Sequence, residues 1–63
     1  MRVGDIERRA HEVFGNRTKA LRWLSTPKSQ FGGRTPAATA ARSAAGAAAV
    51  AELLERINSG FFA

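Results

Sequence analysis

F-G-N-R-T-K-A-L-R-W-L-S-T-P-K-S-Q-F-G-G-R-T-P, residues 14–36, decides the fold of this chain. It holds the only tryptophan, both prolines and three of the six glycines. Gly15 is placed to stop a preceding helix as a left-handed C′ residue, and Asn16 to cap the next one. Pro27 disfavours helical geometry at Thr26, so that second helix ends near Ser25. Lys28 to Arg34 reads as a loop in which Gly32-Gly33 permits positive φ and Phe31 plugs into the core. Thr35-Pro36 is a helix start, threonine at N-cap and proline at N1.

Working outward, Ile6, Ala10, Val13 and Phe14 form one apolar stripe upstream, with Gly4 or Asp5 as N-cap and Arg8 and Arg9 on the wet face. In the second helix Ala20, Leu21 and Leu24 share a face. Ten of the fifteen residues from Ala37 to Ala51 are alanine, the residue best suited to a helix. One helix could run from Pro36 to Ser59, or the chain could break at Ser43, an N-cap candidate that puts Gly46 in a first turn, where it costs little. The second reading is favoured. Val50, Leu53, Leu54 and Ile57 then form a stripe that Gly60 closes. The small Ala44–Ala51 face suits close approach to a neighbouring helix. The expected fold is an all-α bundle of three to four short helices, approximately 5–14, 16–25, 36–42 and 44–59, in one domain spanning residues 1–63.

Sixty-three residues without cysteine support only a thin core and no disulfide staple. Small chains of this kind recruit partners, so oligomerisation is expected. No stretch is apolar and long enough to span a membrane and the first residues form no secretory signal, which by elimination gives a cytoplasmic location. Residues 1–15 balance in charge, residues 43–63 carry −1, and residues 16–42 carry six cations and no acid, so the whole +5 excess is central. Such a block suits nucleic acid or an acidic protein partner.

Catalytic chemistry is missing. His11 is the only histidine, no metal-ligand spacing occurs, and the five carboxylates lie on wet helix faces. Gly32-Gly33-Arg34-Thr35 lacks the spacing and the preceding strand of a phosphate loop, so a corner turning into a capped helix is the simpler reading. Neither an enzyme nor a cofactor is expected. Trp23 reads as a core keystone or, beside Arg22, as an interface anchor; both hold if the indole is only partly buried. Phe61-Phe62 beyond a helix stop would expose a large apolar patch unless they pack internally or enter a partner.

Taken in order, Phe14-Gly15, Ala20-Leu21, Trp23-Leu24, Pro27, Gly33, Pro36, Gly46, Val50, Leu54, Ile57 and Gly60 resemble the toxin-binding domain of the Xre/MbcA/ParS antitoxin family. The ordered set carries the resemblance rather than any one element. It implies an all-helical antitoxin that neutralises a RES-domain toxin, a family associated with NAD consumption or transfer, and that associates with further antitoxin copies. It further implies that the carboxyl end, Ser59, Gly60, Phe61, Phe62 and Ala63, reaches the toxin's active-site cleft. Arg22, Trp23 and Arg34 complete the candidate toxin-binding residues. The family's usual amino-terminal helix-turn-helix region is absent from this sequence, so DNA binding is not expected of this chain alone. Its third helix lacks the family's usual leucine, which predicts weak packing of Ala37–Ala41. The rival reading is a small basic nucleic-acid-binding module, weakened by the scarcity of interleaved aromatics and the absence of a recognition-helix motif.

Overall fold

The computed structural model describes residues 3–60, which form four α-helices: α1 Val3–Phe14, α2 Arg17–Leu24, α3 Pro36–Arg42 and α4 Ala44–Asn58, with a 3₁₀ turn at Ser29–Phe31 between α2 and α3. The boundaries follow from the caps. The Asn16 side chain accepts from the Lys19 N–H, Thr35 from Ala38 and Ser43 from Gly46. Each satisfies one of the amide donors that a helix start leaves without an internal partner. Ser43 therefore separates α3 from α4, as the two-helix reading requires. One expected boundary moves. Helix α1 already includes Val3, so Gly4 and Asp5 lie in its first turn rather than capping it.

α4 packs on both α1 and α3, and α1 lies against α2. The core is Ile6, Ala10, Ala20, Leu24, Ala40, Ala47, Val50 and Leu54, half of it alanine. Methyl groups bury little area, so stability depends on how closely the backbones approach. Gly46 shows this most directly. A Cβ there would sit 3.0 Å from the carbonyl carbon of Thr39 and closer still to its oxygen, because α3 crosses α4 at that point. Pro36 and Ala40 of α3 are buried as well. The weak packing expected of Ala37–Ala41 is thus overturned: α3 packs without a leucine because its backbone at Thr39 approaches α4 closely while Ala40 is buried and Ala37 packs against the core.

Two further expectations change. Leu21 does not share the buried face of Ala20 and Leu24; it is 43% exposed. Arg9 is not simply on the wet face. Its guanidinium spans two carboxylates, donating Nε to Glu55 Oε2 at 2.6 Å, Nη2 to Glu55 Oε1 at 2.8 Å and Nη1 to Glu12 at 3.1 Å. This fork joins α1 to α4 across the bundle.

Candidate functional site

The segment after α2 folds back on itself. The Lys28 N–H donates to the Arg34 carbonyl and the Gly33 N–H to the Lys28 carbonyl, both at 3.0 Å. Closing so tight a loop puts Gly32 at φ +66° and Gly33 at +83°, conformations that side chains disfavour. The fold-back presses Phe31 partly into the core, as its reading as a plug requires. It also carries Lys28 back over α2, with Nζ 5.7 Å from the centre of the Trp23 ring.

Trp23 is half-buried. One side leans on Phe14, with ring centres 5.7 Å apart and planes inclined at 46°. The other lines a surface groove of about 370 Å³ shared with Lys28, Gln30, Leu53 and Ile57. A smaller groove of about 220 Å³, lined by residues including Phe31, Ala49, Leu53 and Arg56, adjoins it through Gln30 and Leu53. Leu53 and Ile57 therefore do not complete the buried stripe with Val50 and Leu54; they remain half-exposed and border the groove. The indole is supported on one side by Phe14 and borders open groove on the other.

Of the residues singled out in the sequence, the structure brings Trp23 together with the carboxyl-terminal part of α4. Ile57 lies in the last turn of that helix, followed by Ser59 and Gly60. The Ser59 hydroxyl donates to the Glu55 carbonyl at 2.8 Å, and Gly60, at φ +75°, donates its N–H to the Ile57 carbonyl at 3.1 Å. Both therefore end the helix. Arg22 and Arg34 are exposed. Arg22 offers its carbonyl to the Thr26 hydroxyl, and the Arg34 guanidinium lies over Gly32. No contact links either one to the indole among the described residues. Phe61, Phe62 and Ala63 lie outside the described residues.

Sequence reasoning missed Lys28, Gln30, Leu53 and Ile57 as site residues. The available signal was Pro27, which ends α2 and turns Lys28 back toward Trp23, four and five positions behind in the chain. The central cations do not form one face either. Arg17 borders a different groove, between α1 and α2, with Glu7, His11 and Leu21. Leu21 and Trp23 are two positions apart on α2, about 200° around the helix.

A four-helix module with a supported tryptophan beside an apolar groove is a protein-binding domain in its architecture. Among the described residues, no group of three or more His, Asp or Glu is placed to hold a metal, and no helix is long and apolar enough to cross a membrane. The model of the antitoxin Xre/MbcA/ParS C-terminal toxin-binding domain matches residues 9–60, and the chain belongs to that family. Its role at this level is that of an antitoxin domain that binds a toxin. No curated protein and no solved structure matches the chain.

Proposed function

We propose that this chain is the antitoxin of a type II toxin–antitoxin system and that it neutralises a cytoplasmic RES-domain, NAD-consuming toxin by obstructing its active-site cleft. In this reading the helices form a rigid platform and Phe61-Phe62-Ala63 enters the cleft in place of substrate. Arg22, Trp23, Arg34, Ser59 and Gly60 make up the surface beside the entry, and association between antitoxin copies completes the assembly. The observation that carries the reading is the end of α4. The family match runs to Gly60, and the Gly60 cap closes the helix whose last turn borders the tryptophan groove. Two phenylalanines follow that cap directly, and burying a phenylalanine side chain in a cleft is worth roughly 1.5–3 kcal/mol.

Co-expression with the cognate toxin tests this, comparing the intact chain with one that stops at Gly60 so that the cap survives. Growth and cellular NAD are scored together. The intact chain is expected to restore both, and the shortened chain to bind the toxin while NAD still falls. Equal protection by the shortened chain would remove the tail mechanism. A toxin that arrests growth with NAD unchanged would remove the RES assignment.

A further inference from the structure

The two adjoining grooves make one trough with a regular floor. Ala49, Leu53 and Ile57 recur every fourth residue along α4. At ~1.5 Å per residue the seam is about 12 Å long, more than two helical turns. Trp23 walls one end, and the small side chain at Ala49 leaves the other open to close approach. Helix-in-groove recognition uses a seam of this length and period. The polar groups around it are unequal. Arg56 and Glu52, beside the Ala49 end, satisfy each other at 3.0 Å. Lys28, at the Trp23 end, is half-buried, and among the described residues its ammonium meets the indole face and no carboxylate.

We infer that the trough holds an amphipathic helix of the toxin, with apolar side chains at i, i+3 or i+4 and i+7 against Ala49, Leu53 and Ile57, and with a carboxylate at the end that meets Lys28. The inference rests on the partner being the toxin this chain neutralises and locates where the two bodies grip, away from the reacting centre. Lys28 sets the orientation of the bound helix. In the reverse direction its carboxylate would fall beside the already neutralised Arg56–Glu52 pair and leave Lys28 uncompensated. Trp23 supplies the apolar anchor beneath the ion pair, where exclusion of water strengthens it.

The test is affinity for the purified cognate toxin, measured by calorimetry for the full chain and four variants that change exposed or half-buried surface positions. Ala49→Gln puts a longer side chain across the open end and is expected to weaken binding roughly tenfold or more. Lys28→Glu is expected to weaken it by a similar factor, and Lys28→Arg to restore most of it. Arg17→Glu, in the α1–α2 groove, makes the same change in net charge and is expected to leave affinity within about twofold of the parent. Wild-type affinity in both Ala49→Gln and Lys28→Glu overturns the proposal, as does an Arg17→Glu loss equal to that of Lys28→Glu. A dimer of the free chain that Ala49→Gln dissociates would assign the trough to a second copy. A Trp23 emission shift on removing residues 61–63 would assign it to the chain's own end, and either result overturns the toxin helix. Whether the toxin consumes NAD is read in a separate assay, so the trough and the RES assignment fail independently.

Discussion

Helix α4 has two sides of similar composition and opposite outcome. Toward α3 it presents Gly46 and Ala47, and the backbones meet so closely that a methyl group at position 46 has no room. Toward Trp23 it presents Ala49, Leu53 and Ile57 and leaves an open trough. Ala47 is fully buried while Ala49, about 200° around the helix, is exposed. Small side chains draw helices together only where the opposing surface is itself smooth. Against α3, a backbone carbonyl at Thr39 fills the space. Beside Gln30 and Phe31, the same small side chain at Ala49 leaves a gap. One side of the helix therefore holds the fold, and the other is available to a partner.

Gly46→Ala attacks this contrast hardest, because two principles predict opposite signs. Helix propensity alone predicts a small gain for alanine over glycine, below the ~1 kcal/mol of a helix interior because position 46 lies in the first turn. The contact with Thr39 predicts that α3 must move off α4, a loss of about 3 kcal/mol. The contact dominates, since backbone atoms, unlike a flexible side-chain end, cannot swing aside. A chain of this size has roughly 3–9 kcal/mol in hand. The thermal midpoint is therefore expected to fall by more than about 10 °C. A midpoint that rises would show that α3 and α4 are farther apart in solution.

Adjacent leucines test the same division at intermediate scale. Leu54 is fully buried in the core, whereas Leu53 is half-exposed on the trough. Leu54→Ala is expected to cost about 3 kcal/mol through lost transfer energy and an unfilled cavity. Leu53→Ala is expected to cost under about 1 kcal/mol, since the exposed half already meets water. Denaturant midpoints of the two variants give the comparison. Equal shifts would mean that the trough is closed and that Leu53 belongs to the core.

What could be read from the sequence followed from local chemistry. Asn16, Thr35 and Ser43 announce their caps because an N-cap needs only a side-chain oxygen within reach of an amide two or three residues on. The apolar stripe of α1 and the break between α3 and α4 followed from the same short-range rules. Gly46 was read correctly as tolerable near a helix start but for an incomplete reason; its requirement comes from Thr39, on another helix. Leu21 illustrates the opposite failure. Periodicity places it beside Ala20 and Leu24, but the neighbouring helices cover only part of so short a segment. The site was least legible. Trp23 attracts notice alone, while Lys28, Leu53 and Ile57 become site residues only once the loop folds back against α4. Arg9 and Glu55 are 46 positions apart, and nothing local pairs them.

That ion pair gives the smallest expected effect and the one that depends on pH. The hydrogen bond from Arg9 holds the Glu55 carboxyl below its ordinary value, and the hydrogen bonds to Glu55 and then Glu12 push the guanidinium above the usual arginine range. Arg9 therefore stays charged, and Glu55 is the group that titrates. Its folded value lies below its unfolded one, so its contribution is complete above an unfolded carboxylate value of about 4.3 and is lost as pH falls through the folded value. Both side chains reach solvent, and Glu12 still partners Arg9 when Glu55 is removed. The contribution is accordingly modest and is screened by salt. In melts from pH 7 down to pH 3, the parent chain is expected to lose slightly more stability than Glu55→Gln, so that the two curves converge at the acid end. High salt should narrow their separation at pH 7. Parallel curves at every pH would mean that the α1–α4 fork does not persist in solution and that α1 is held by its apolar contacts alone.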